Sequence, residues 1–130
     1  MGFTVALLVD GEFYDGRTVT VDEWSYADGP SNIGVYESLG EGSRSEPTRS
    51  RSDWAQLRWW QRLNGLSGPE GAAFLHPIIC HLEADAVRLR ALCVGVEWGY
   101  GGDFDFFLAM LREMRDLATT EVRTRWWSFG

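Results

Sequence analysis

The chain contains no lysine, and all twelve of its basic residues are arginine. This absence excludes a Schiff-base lysine, a lysine nucleophile and the lysine of a P-loop. Each cation is instead a planar, permanently charged guanidinium, which suits carboxylate pairing or stacking on aromatic rings. Enzyme classes that depend on lysine chemistry are therefore excluded.

Other residues and motifs that carry chemistry are also scarce. Two cysteines, Cys80 and Cys93, do not make a disulfide framework, and no GxSxG, Walker A or HExxH pattern is present. The first apolar run, Phe3 to Val9, is too short for a signal peptide or a membrane span. We therefore expect a cytoplasmic protein with reduced thiols, no membrane attachment and no cofactor.

Negative charge and tryptophan are what the chain has in excess. Nineteen acidic residues against twelve basic ones give a formal net charge of −7, and seven of the 130 residues are tryptophan. The charge repels nucleic acids and anionic membranes, and it attracts basic protein partners. Core packing can account for every indole ring, but rings beyond the needs of a core would anchor a recognition surface.

Hydrophobic patterning predicts one domain over residues 1–130, of class α+β, with a small, mainly antiparallel sheet packed against two or three helices. Residues 3–9 and 17–22 predict an antiparallel pair of strands, and residues 121–129 predict a final strand. Residues 25–52 lack periodicity, so we expect a long irregular loop there, with at most a short strand around residues 33–39.

Capping residues and breakers predict the first two helices. The first runs over residues 53–64, between an aspartate cap and a glycine stop. Ser67 and Glu70 form a capping box that opens the second helix. We expect Pro77 to kink or restart that second helix, because proline lacks the amide donor of the preceding turn.

The last third of the chain holds one clear element and one ambiguous element. Residues 103–118 predict an amphipathic helix with a buried stripe every three to four residues. Residues 86–98 fit both helical and strand patterns. Their β-rich ending, residues 93–98, favours a central strand.

Four potential zinc ligands lie close together in the sequence: His76, Cys80, His81 and Cys93. Pro77 disturbs the helical geometry that would join His76 to Cys80, and the neighbours Cys80 and His81 would point apart. Paired ligand motifs are absent, and the surrounding sequence is apolar. We therefore expect these residues to lie in the core rather than form a metal site or a nucleophilic Cys–His pair.

Residues 97–105 predict a strand end, a glycine-rich loop and a helix N-terminus, an arrangement typical of a phosphate cradle. Glu97, Asp103 and Asp105 would repel phosphate, so a divalent metal or a basic protein partner fits better. With a metal, these three carboxylates would serve a small metal-dependent hydrolase. The plain structural explanation is that Asp103 caps the helix and Asp105 favours its dipole.

Two Arg-Trp-Trp triplets, residues 58–60 and 125–127, recur in a predicted helix and a predicted strand. In each triplet one ring can face the core while its neighbour stacks on an arginine or faces outward. Combined with the acidic loop, they define the predicted partner-binding residues. These are Glu97, Trp98, Tyr100, Asp103, Asp105, Trp59, Arg125 and Trp127.

Small size, strong acidity, surplus tryptophan and tyrosine, and the lack of a catalytic frame resemble the character of bacterial immunity proteins, which neutralise polymorphic toxins. The resemblance covers bulk properties and transfers no individual residue. It implies a non-enzymatic, stoichiometric complex with a basic toxin or nuclease domain, in which carboxylates enter a basic cleft and aromatic rings anchor the contact. A phage-encoded nuclease inhibitor or a non-catalytic homo-oligomeric domain would share these properties.

Overall fold

The computed structural model describes residues 3–11, 19–23, 30–41, 58–92 and 104–130. Within these ranges lie three strands, four α-helices and one 3₁₀ turn at Trp59–Arg62, which confirms the predicted α+β class. In chain order the regular elements are β1 (Phe3–Val9), β2 (Val19–Glu23), α1 (Pro30–Ser38), α2 (Gly68–Ala84), α3 (Ala86–Leu92), α4 (Phe104–Thr120) and β3 (Thr124–Phe129).

The three strands form one antiparallel sheet in the order β2-β1-β3. Val5 pairs with Val21 on one side of β1, and Ala6 pairs with Trp127 on the other. Because side chains alternate along a strand, the odd-numbered residues of β1 point to one face, and all four of them are buried. The predicted pairing of the first two strands and the predicted final strand are both confirmed.

Helices α2 and α4 pack against each other and cover one face of the sheet. The stripe predicted for the last helix faces this core, with Phe107, Leu111 and Met114 fully buried. Its remaining members, Met110 and Leu117, pack half-buried at the margin of the core. The apolar residues of α4 recur with a period of 3.6 residues, and this spacing predicts its buried face correctly.

Helix α1 corrects the irregular loop, and the short strand, expected inside residues 25–52. Ile33, Val35 and Tyr36 are buried in the core, which stabilises a helix that the sequence pattern does not indicate. Gly34 lets this helix approach its neighbours, because a Cβ there would lie 2.4 Å from Leu82 and 2.7 Å from Leu89. The other residues of 25–52, apart from 39–41, lie outside the described ranges.

Helix α2 begins as predicted and continues where a restart was expected. The Ser67 hydroxyl accepts a hydrogen bond from the Glu70 amide at 3.3 Å, and the Glu70 carboxylate accepts one from the Ser67 amide at 3.4 Å. The helix then runs unbroken through Pro77 to Ala84. Pro77 lies on the exposed side of the helix, where its ring displaces no core side chain. The helix therefore does not restart at Pro77, which was one of the two outcomes predicted for it.

The predictions for residues 53–64 and for residues 86–98 are each corrected in part. Arg58 adopts a left-handed conformation (φ 46°, ψ 57°) before the 3₁₀ turn, so a helix over residues 53–64 cannot pass through it. Residues 53–57 lie outside the described ranges. Residues 86–92 form α3, so the ambiguous segment is helical there rather than a strand, whereas residues 93–98 are again outside the described ranges.

Candidate binding surface

Strand β3 directs its two tryptophans to opposite faces of the sheet. Trp126 points into the core, where its indole Nε1 donates a hydrogen bond to the Gly68 carbonyl at 3.1 Å. Alternation then sends Arg125, Trp127 and Phe129 to the other face, away from α2 and α4. We call these three residues the outer sheet patch.

Aromatic surface dominates the outer sheet patch. The rings of Trp127 and Phe129 stack nearly parallel, with an interplanar angle of 3° and centroids 6.0 Å apart. Trp127 is half-buried, whereas Phe129 keeps 69% of its surface exposed. Opposite them on β1, the pairing register places Thr4 beside Phe129 and Leu8 beside Arg125.

The backbone next to β3 holds the outer sheet patch in place. Trp126 exchanges two backbone hydrogen bonds with residues 65 and 66, each 2.9 Å long. The Ser128 amide donates to the Asn64 side chain at 3.0 Å, and the Arg125 guanidinium donates to the Gly65 carbonyl at 2.8 Å. Residues 64–67 therefore cover the outer edge of β3, and a partner would meet its side chains rather than add a strand.

Trp59 lies in the core, not at the surface expected for a partner contact. It has no exposed surface and packs edge-on against Phe3 and Phe107, at centroid distances of 5.5 and 6.3 Å. The neighbouring Trp60 is also buried and stacks on Phe3 at 4.2 Å. In this triplet both rings face inward, because the 3₁₀ turn does not alternate its side chains as a strand does.

Asp105 is exposed on the first turn of α4, but Arg90 already binds it. The Arg90 Nε and Nη2 donate to the carboxylate at 3.0 and 2.8 Å, and these hydrogen bonds hold the pKa of Asp105 below its usual value. The same guanidinium lies over the Phe104 ring, 5.9 Å from its centroid. Asp105 therefore belongs to a contact between α3 and α4, on the helical side of the sheet.

Four of the predicted partner-binding residues, Glu97, Trp98, Tyr100 and Asp103, lie outside the described ranges. Of the three carboxylates predicted for a metal-dependent hydrolase, the structure thus describes only Asp105. A carboxylate held in a bidentate arginine pair is a poor open metal ligand, because the guanidinium already occupies its oxygens.

His76 and Cys80 are exposed on α2, which corrects their expected core position. The buried side of α2 follows Leu75, Ile78 and Leu82, so the two potential ligands point away from it. His81 is half-buried, and Cys93 lies outside the described ranges.

A cluster of charged side chains joins α1 to the junction of α2 and α3. Ligand atoms of Glu37, His81 and Asp85 lie within 4.8 Å of one another. Arg88 donates to Glu37 at 2.5 Å and to Asp85 at 2.6 Å, and these bonds, the one to Asp85 foremost, raise the pKa of its guanidinium. Arg88 therefore fills the position that a metal cation would take, and the cluster is an ion-pair network.

Sequence reasoning missed this network. Glu37 lies in the segment expected to be irregular, and its contacts reach 44 and 51 positions along the chain, so no local spacing marks them.

Comparison with known proteins found no matching family model, curated protein or solved structure. Within the described ranges, no helix has both the length and the apolar character needed to cross a membrane.

Proposed function

We propose that this protein is a non-catalytic binding module of the immunity type, which inhibits a basic toxin or nuclease domain by docking it on the outer sheet patch. The observation that carries the proposal is the exposure of Phe129, 69% of whose surface remains in water while its ring stacks on Trp127. Burying a phenylalanine side chain contributes roughly 1.5–3 kcal/mol of favourable free energy. For Phe129 most of this contribution becomes available only when a partner covers the ring.

The composition of the outer sheet patch supports a protein partner. Tryptophan and arginine are enriched among the residues that dominate binding energy, and both types lie in the patch, as Trp127 and Arg125. The arginine retains an exposed side chain although one nitrogen is bound to Gly65. It can therefore meet an acidic or carbonyl group at the margin of the apolar contact.

Rigidity is a second supporting property. Strand pairing and the cover provided by residues 64–67 fix the backbone of β3 before any partner arrives. A preorganised surface loses little conformational entropy on binding, which leaves more of the contact energy as affinity.

Net charge supports a basic partner. A formal charge of −7 attracts a cationic domain at long range, and such steering raises association rates by about 10- to 1,000-fold. Asp105 lies on the helical side of the sheet and its charge is balanced by Arg90, so it adds little to this attraction and takes no part in the aromatic contact.

Co-expression with the products of flanking genes tests the proposal. Each flanking product is expressed alone and together with this chain, and growth and complex formation are measured. We expect one product to arrest growth alone, to be tolerated with this chain and to form a 1:1 complex with it. Absence of any toxic or bound flanking product would contradict the proposal.

A matched pair of variants locates the contact. Phe129→Ser removes the exposed ring, whereas Val122→Ser removes an equally exposed apolar side chain (77%) on the turn before β3. We expect the first to weaken the complex by at least about 30-fold, the effect of a binding hot spot, and the second to leave it unchanged. Equal affinities would reject the patch, and a self-association lost in Phe129→Ser would assign it to homo-oligomerisation instead.

A further inference from the structure

Two metal-ligating side chains stand one helical turn apart on the exposed side of α2. The Nε2 atom of His76 lies 3.7 Å from the Sγ atom of Cys80, and both residues are exposed. Helix α2 is continuous between them in spite of Pro77, so the i, i+4 spacing is fixed by the backbone.

That separation is close to the distance between two ligand atoms on a tetrahedral zinc ion. Zinc binds thiolate sulfur at about 2.3 Å and imidazole nitrogen at about 2.0–2.1 Å, which for a tetrahedral angle places the two ligand atoms roughly 3.5 Å apart. Small side-chain rotations close the remaining difference, and exposed side chains make such rotations freely.

We propose that His76 and Cys80 form a two-residue binding site for a thiophilic divalent ion of the Zn²⁺ class. A thiolate and an imidazole favour zinc and related ions over Mg²⁺ or Ca²⁺, which prefer oxygen ligands. Because both side chains are exposed, water completes the coordination. The site is independent of the outer sheet patch, which lies on the opposite face of the sheet from α2.

The neighbouring charges permit an ion at this position. Arg115, which with His76 lines an open groove between α2 and α4, directs its Nε to the Asp116 carboxylate at 3.0 Å. The chain as a whole carries −7, which favours cation binding. At the Glu37–His81–Asp85 cluster, in contrast, Arg88 would have to leave both carboxylates before an ion could enter.

Cobalt titration of the full-length, reduced protein tests the site. Co²⁺ replaces Zn²⁺ in such sites and gives a sulfur-to-cobalt charge-transfer absorption that reports a thiolate ligand directly. We expect this absorption to saturate at one ion per chain and to disappear when Zn²⁺ is added in competition.

Three substitutions assign the ligands. We expect Cys80→Ser to abolish the charge-transfer absorption and His76→Ala to weaken Co²⁺ binding by at least about tenfold. Both side chains are exposed, so neither change should alter the melting temperature of the metal-free protein. The matched control is Cys93→Ser, which removes the other thiol and should leave binding intact.

Other outcomes would overturn the proposal. These are no absorption in the wild-type protein, an absorption that survives in Cys80→Ser or is lost in Cys93→Ser, and Co²⁺ binding that is unchanged in His76→Ala.

Discussion

Tyr36 places an ionisable hydroxyl inside the core, where it has no exposed surface. Burial raises the pKa of Tyr36 from 10.0 to about 12, because the charged phenolate would lose its hydration. Between these two values the folded chain keeps a proton that the unfolded chain has lost, so stability is intact below about pH 10 and falls as the pH rises toward 12.

The alkaline loss amounts to about 3 kcal/mol, because a tenfold change in a proton-binding constant corresponds to about 1.4 kcal/mol. We expect Tyr36→Phe to flatten the alkaline limb of the unfolding free energy, measured by denaturant titration at several pH values. An identical limb in both proteins would show that Tyr36 does not cause the loss.

Gly71 makes room for the indole of Trp126. A Cβ at this position would lie 2.0 Å from Trp126 Nε1, so Gly71→Ala must displace the ring and break its hydrogen bond to Gly68. Helix propensity alone would stabilise the variant by about 1 kcal/mol, but overpacking and the lost hydrogen bond should dominate and destabilise it by a net 1–3 kcal/mol or so.

A double-mutant cycle isolates this contact. We expect Gly71→Ala to cost clearly less in a Trp126→Leu background, because the branched side chain lacks the ring atoms that collide. A stabilising effect of Gly71→Ala in the wild-type background would refute the steric argument.

At the scale of elements, α2 contains two prolines in different positions. Pro69 lies in the first turn, where its missing amide has no helical partner, whereas Pro77 lies in the interior of the helix. We expect Pro77→Ala to stabilise the protein by up to about 3 kcal/mol, the helix-propensity difference between the two residues in a helix interior.

Pro69→Ala is the matched control for this change. It should alter the melting temperature much less, because proline is compatible with the first turn. Destabilisation by Pro77→Ala would indicate that the proline ring contributes contacts that a helix with alanine there lacks.

Elements with strong local patterns were predictable from the sequence. The capping box of Ser67 and Glu70, the alternation in β3 and the apolar period of α4 each specify structure within a few residues. Helix α1 was not predictable, because Ile33 and Val35 favour strands and Gly34 disfavours helices. Packing against Leu82 and Leu89 overrides that local preference.

The candidate surface also includes some positions that local patterns specify and others that contacts distant in sequence determine. Alternation in the strand is consistent with the outward position of Trp127, since Trp126 is held in the core by Gly68. The inward position of Trp59 depends on contacts with Phe3 and Phe107, which are distant in sequence and leave no local signal. Exposure of His76 and Cys80 depends on whether the helix continues through Pro77, and local propensity disfavours the continuous helix that α2 forms there.

At the scale of the whole molecule, β1 is hydrogen-bonded on both sides and buried on its core face. We expect its amides to exchange with solvent only through global unfolding, so that their exchange free energies equal the stability from denaturant unfolding. Helix α3 should exchange through smaller local openings, because it has only seven residues and Val87 is 82% exposed. Slower hydrogen exchange in α3 than in β1 would contradict this order.

The position of β1 between its neighbours also affects how the protein is made. Leu8 pairs with Arg125, which the ribosome adds 117 positions later, so at about 5–20 residues per second β1 waits roughly 6–23 s for this partner. Until then the backbone groups along one edge of this apolar strand are open to pairing with other nascent chains. A translation product that ends before Thr124 can never close that edge, and such fragments should aggregate or be degraded.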